Sequence, residues 1–117
     1  MSTTTGTAAA RITAELVSWP GVEVGPGNFG STAFRVDGRE IGHLHGDHAA
    51  HFSFPKSQWR QLRDQRRIDP HPVFPDREGP AARRIAGDGD VGDVVALLRL
   101  NYERAVARRR SGDAAGA

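Results

Sequence analysis

Cysteine is absent from the 117 residues, which excludes disulfides, thiolate nucleophiles and cysteine-ligated zinc. Such a chain suits a reducing compartment. No apolar run approaches the roughly 20 residues needed to cross a bilayer. The opening, Met1-Ser2-Thr3-Thr4-Thr5-Gly6-Thr7, lacks the basic start and apolar stretch of a secretory signal. A cytoplasmic protein with no membrane partner is therefore expected. No serine stands in a nucleophile elbow and no second carboxylate pairs with Asp47, so nothing points to acyl transfer or glycoside hydrolysis. Lysine is nearly missing: fifteen of the sixteen basic residues are arginine. A GC-rich genome produces the same bias, so the pI of 9.9 is not by itself a nucleic-acid footprint.

What is present fits one domain. Apolar residues make up 38% and recur throughout, enough for one packed core in 117 residues but not for two. Charge is uneven. Residues 1–55 carry three basic and five acidic side chains, whereas residues 56–117 carry thirteen basic and nine acidic. Residues 1–6 and 111–117 are polar or small and are expected to be disordered tails around a single domain over 7–110.

Ile12, Leu16 and Trp19 recur at i, i+4, i+7 and predict a helix from about Thr7 to Ser18, stopped by Pro20-Gly21. Val22-Glu23-Val24 is a short strand. Asp37-Gly38 is the clearest local signal, because this dipeptide favours a two-residue type I′ turn joining Ser31–Val36 to Arg39–His45. A regular hairpin then sets Val36 against Arg39, Arg35 against Glu40, Phe34 against Ile41 and Thr32 against His43. A four-residue turn at Gly46–Ala49 sets His45 against Ala50 and His43 against Phe52. In that register one face carries Phe34, Val36, Ile41, Phe52, Phe54, Thr32, His43 and His45, with every large apolar residue except Leu44. The opposite face carries Arg35, Glu40, Leu44 and His51. A second helix follows Pro55 through about Arg67, His71–Pro75 is an extended segment, Ala81–Ala86 is a weak strand, and Val91, Val94, Val95, Leu98 and Tyr102 mark a third helix. The fold class is α+β: an antiparallel sheet, with a three-strand meander at its centre and short edge strands, and three helices mainly on one face.

Three patterns bear on chemistry. Gly25-Pro26-Gly27-Asn28-Phe29-Gly30 spells G-x-G-x-x-G, but a dinucleotide fingerprint needs a following helix, and here a strand follows. A tight turn is the simpler reading, with an anion held by backbone N–H groups as the other. His43, His45 and Asp47 alternate, so in a continuous strand they face one way. Two imidazoles at i, i+2 can line a ligand pocket or act as acid and base, with Asp47 orienting a ring. They can also ligate one metal, with His71 as a third donor, although no recognised metal spacing is completed. Lys56, Arg60, Arg63 and Arg67 are spaced 4, 3 and 4 and form one basic stripe, read as a solvated face or as a contact for phosphate or an acidic protein.

The stretch Phe34-Arg35-Val36-Asp37-Gly38-Arg39-Glu40-Ile41-Gly42-His43-Leu44-His45-Gly46-Asp47 resembles a family of small bacterial and fungal proteins called luciferase-domain proteins, largely of unknown function. Trp19-Pro20-Gly21-Val22, Phe54-Pro55, His71-Pro72-Val73-Phe74-Pro75 and Leu97–Arg104 resemble it too, so the likeness covers about residues 12–106. It departs near 80–85, where the family tends to carry aromatic residues and this chain has Pro80 and Arg83. The helix-then-Trp-Pro-Gly-Val opening is also similar in outline to the YjbR-like α+β family. The resemblance implies no defined reaction.

The resulting expectation is a small-molecule-binding domain with a histidine-lined pocket. His43, His45 and Asp47 are its catalytic candidates, and His71, Phe52, Thr32 and Tyr102 its ligand-binding ones. No cofactor is predicted, a metal at His43 and His45 stays open, and no feature specifies an oligomer. The alternative is an interaction module that binds nucleic acid or an acidic protein through the basic stripe.

Overall fold

The structure, a computed structural model, describes residues 6–116, with side chains for residues 6–110. Residues 1–5 and 117 of the expected tails lie outside the described residues. Helix α1 (Ala8–Val17) starts where the Thr7 hydroxyl accepts the Ala10 N–H at 3.1 Å, and it ends at Ser18 before Gly21 turns the chain with φ +85°. Strands β1 (Val22–Pro26), β2 (Thr32–Val36), β3 (Arg39–His45) and β4 (Ala49–Ser53) follow. After them come α2 (Lys56–Asp64), the two-residue β5 (Asp69–Pro70), β6 (Pro80–Arg84) and the long helix α3 (Asp88–Gly116). The backbone of α3 thus continues past residue 110 to Gly116.

All strand pairs are antiparallel, in the order β1-β2-β3-β4-β6-β5, which makes the fold α+β. The 80–84 segment pairs with β4 along its full length, and its Ala81 and Ala82 are buried. Ile12 and Leu16 of α1, Val94, Leu97 and Leu98 of α3, and Phe34, Val36, Leu44 and Phe52 of the sheet form the core. Burying each of the larger side chains contributes about 1.5–3 kcal/mol. Helix α2 joins through buried Trp59 and Leu62, and the Trp59 indole N–H donates to the Pro80 carbonyl at 3.0 Å. Among the described residues no helix is long and apolar enough to cross a membrane.

The hairpin turn has the expected chemistry. Asp37 and Gly38 both take positive φ, +53° and +78°, as a type I′ turn requires. Val36 pairs with Arg39 and Arg35 with Glu40, as a regular register demands. The next pair breaks it. Phe34 lies opposite Gly42, not Ile41, so Ile41 is the extra residue of a β-bulge. Beyond it Thr32 pairs with Leu44 and Ala33 with His43. The β3–β4 turn is also one residue shorter than expected, setting His45 against Ala49, Leu44 against Ala50 and His43 against His51. The two slips cancel for β4, whose Ala50 and Phe52 still face the helices. They do not cancel for β3. Leu44 turns into the core, and His43 and His45 turn away from it, onto the outer face with His51.

The bulge is held from the helix side. Asn101 of α3 is buried, at 5% exposure, and its Nδ2 donates to the Ile41 carbonyl at 2.9 Å and to the Ser53 carbonyl at 3.2 Å. One amide thus ties β3 to β4 where their ladder stops. Gly42 completes the fit: a Cβ there would sit 2.4 Å from the Leu98 Cδ2 and 3.2 Å from the His51 carbonyl, so only glycine lets α3 lie so close. Replacing Asn101 with leucine strands two buried carbonyls, and the expected cost is about 1–3 kcal/mol. Chemical denaturation of N101L against the parent protein checks it; an unchanged midpoint would show that the amide does not hold the bulge.

Candidate functional site

Four imidazoles meet on the outer sheet face. His43 and His45 stand two apart on β3, and His51 reaches them from β4 across the His43–His51 pair. His71 comes from the loop after β5. Ring centroids lie 4.8 Å apart for His43–His45, 4.3 Å for His45–His51 and 4.6 Å for His51–His71. They line a cavity of about 350 Å³ whose other walls are Asn28, Phe29, Val73 and Phe74. Phe29 is 98% exposed and held at φ +56° in the three-residue 3₁₀ turn Asn28–Gly30, between β1 and β2. The G-x-G-x-x-G stretch is therefore a hairpin loop that forms one rim of this cavity, and no helix follows it.

Glu40 is the charged member of the group. In a regular strand residues three apart face opposite sides, but the bulge returns Glu40 and His43 to the same side. The His43 Nδ1–H donates to Glu40 Oε2 at 2.8 Å, and that hydrogen bond is the main reason the Glu40 carboxyl titrates below its usual range. In the neutral ring the lone pair then sits on His43 Nε2, 3.1 Å from His45 Nε2, which donates to it. His71 is fixed differently. Its Nδ1 accepts the backbone N–H groups of Val73 and Phe74 at 3.1 and 3.4 Å, so its proton resides on Nε2. His51 is only 8% exposed, and its ring packs against those of His43, His45 and His71.

Burial is the first cause pulling His45, His51 and His71 below the ordinary imidazole range, and repulsion among the rings adds to it; His51 falls to about 4. At neutral pH these three are uncharged, and the lone pair of His71 is already taken by its own backbone N–H groups.

The other residues singled out from the sequence lie elsewhere. Asp47 does not reach the rings: its Oδ1 accepts the Ala9 N–H at 2.9 Å and fastens the start of α1 to the β3–β4 turn. Phe52 stacks on Phe54 in the core, ring centroids 5.5 Å apart. Thr32, paired with Leu44, faces the helices. The Tyr102 hydroxyl donates to the Pro20 carbonyl at 2.7 Å, in the α1–α3 layer. These placements correct the expected pocket, because the bulge moved the histidines to the face opposite Phe52, Thr32 and Tyr102. Of the basic stripe, Arg60 makes a two-point pair with Glu78 at 2.6 and 2.8 Å, and Arg63 pairs with Asp64 and lies over the Trp59 ring. Lys56 and Arg67 complete the stripe without lining the cavity.

His51 and Glu40 were not singled out from the sequence, and both belong to the site. Two signals could have found them: a glycine inside a strand, which often marks a bulge, and Leu44 stranded on the polar face of an unbroken register.

The depressed His51 pKa ties stability to pH. As pH falls through about 6.5 the unfolded chain takes up the proton first, so stability present above 6.5 is lost progressively toward pH 4. His45 and His71 add in the same direction. With a chelator present, the melting temperature should drop between pH 7 and 4.5, and the drop should be shallower in H51Q. Identical slopes would show that His51 keeps its ordinary pKa.

The family model described as luciferase domain matches residues 38–101. No curated protein and no solved structure matches. The matched span begins inside the hairpin turn, carries Glu40, the bulge and all four clustered histidines, and closes on the asparagine that holds the bulge; by that match the chain belongs to the luciferase-domain family.

Proposed function

We propose that this protein is a small-molecule-binding domain whose site is the outer-face cavity. The observation that carries the reading is the cavity's division into a floor of four imidazoles and walls of exposed aromatic and aliphatic side chains. At about 350 Å³ it lies at the small end of ligand pockets, which run from roughly 300 to 1,000 Å³. Val73, Phe74 and Phe29 offer apolar surface that a monomeric protein gains nothing by exposing. A compact, mostly apolar molecule with one polar end suits both halves: its body covers the aromatic rim and its polar group meets the imidazoles. Phe29 sits in a left-handed conformation that costs of order 1–3 kcal/mol for a residue other than glycine, the kind of strain that accompanies function.

Proton transfer is the chemistry such a floor supports. His71, with Nδ1 held by its own backbone, presents a defined N–H to the ligand's polar group, and the neutral imidazoles beside it can accept a proton that the ligand gives up.

Native mass spectrometry of freshly purified protein tests the reading. A species heavier than the 12.6 kDa chain, lost on denaturation and absent from the V73D/F74D double variant, is expected. Anilinonaphthalene sulfonate supplies a second readout, with fluorescence enhanced by the parent protein and reduced by the double variant. Bare chain throughout, together with equal dye fluorescence for the two proteins, would overturn it.

A further inference from the structure

We infer that His43, His45 and His51 form a three-imidazole centre for one divalent transition-metal ion of the zinc class, with its open coordination position facing the cavity. Each ring offers one nitrogen, and these three nitrogens lie within 4.8 Å of one another. Two are closer still: His43 Nε2 and His45 Nε2 stand 3.1 Å apart. Tetrahedral zinc with bonds of 2.0–2.1 Å holds its nitrogens about 3.3 Å apart, so this edge of the site is already at ligand spacing. His51 completes the triangle by a small ring movement across one strand pair.

Three independent features point to an ion. His51 is more than nine-tenths buried and packs its ring against those of His43 and His45, with centroids 5.1 and 4.3 Å away, which brings its nitrogen within reach of theirs. Glu40 accepts the His43 Nδ1–H, the carboxylate–histidine arrangement that orients a metal-bound ring and raises its basicity. The donor set is three imidazoles with no thiolate in the chain, and His₃ leaves a fourth position for water or substrate, as catalytic zinc sites require. His71 is not the third donor that spacing allowed. Its Nδ1 lone pair is occupied by two backbone N–H groups and its other nitrogen carries the proton, so it serves as a hydrogen-bond donor beside the centre.

The inference goes beyond the ligand pocket and does not depend on it. The test uses the untagged full chain, stripped with chelator and titrated with Zn²⁺ by calorimetry and with Co²⁺ by visible absorption. One ion per chain is expected, with the intense ligand-field bands of a four-coordinate Co²⁺ site. H45Q and H51Q should each abolish the bands. E40Q should weaken binding by about 10–100-fold while keeping the stoichiometry. H48Q, which changes an exposed histidine outside the cluster, should leave affinity unchanged. H45Q is partly exposed and its fold can be checked by circular dichroism, so it decides the matter should H51Q fail to fold. No stoichiometric binding, or equal loss in H48Q and H45Q, overturns the metal centre. A retained small molecule without metal binding would sink the centre alone, and metal binding without a retained molecule or rim-dependent dye signal would sink the pocket alone.

Discussion

The side-chain amide of Asn101 is the contact on which the outer face depends. A β-bulge leaves its extra residue outside the ladder, and a buried carbonyl without a partner is costly. Asn101 Nδ2 removes that cost at Ile41 and, through Ser53, fastens the neighbouring strand as well. The Asn101 Oδ1 is in turn held by Arg104, which also donates to Gln58 of α2 at 2.7 Å. Helix, bulge and strand end are therefore one unit. Because side chains alternate along a strand, the single extra residue decides which way every later residue of β3 points.

Two consequences follow on opposite sides of the sheet. On the inner side Leu44 enters the core and Gly42 makes room for Leu98, so α3 packs closely over the bulge. On the outer side Glu40, His43, His45 and His51 come together, a carboxylate and three imidazoles from two strands. The same feature thus supplies packing and polarity. Burial first, and repulsion among the rings second, keep His45 and His51 neutral, and a neutral ring with a free nitrogen can bind a metal.

Much of the fold was legible in the sequence because it rests on local chemistry. A helix opens near Thr7, Pro20-Gly21 stops it, Asp37-Gly38 turns, and Val91, Val94, Val95, Leu98 and Tyr102 repeat at helical spacing; each of these acts over a few residues. The pairing of His43 with His45 was legible for the same reason, since i, i+2 share a face whichever face it is. The face itself was not. It is set by a bulge whose partner, Asn101, lies sixty residues away, and periodicity cannot see such a contact. Phe52 and Thr32 kept the helix-covered face that the register gave them while the histidines left it, Asp47 and Tyr102 are engaged by Ala9 and Pro20, and His51 was overlooked because an unbroken register set it opposite its partners.

Ring-proton nuclear Overhauser spectroscopy of the labelled protein tests the central claim most directly. With Ile41 as the extra residue, the imidazole protons of His43, His45 and His51 give mutual cross-peaks and none to the methyl groups of Leu98 or Val94, while the Leu44 methyl groups do reach those helix residues. Cross-peaks from His43 or His45 to the Leu98 methyl groups, with Leu44 facing solvent, would contradict the account.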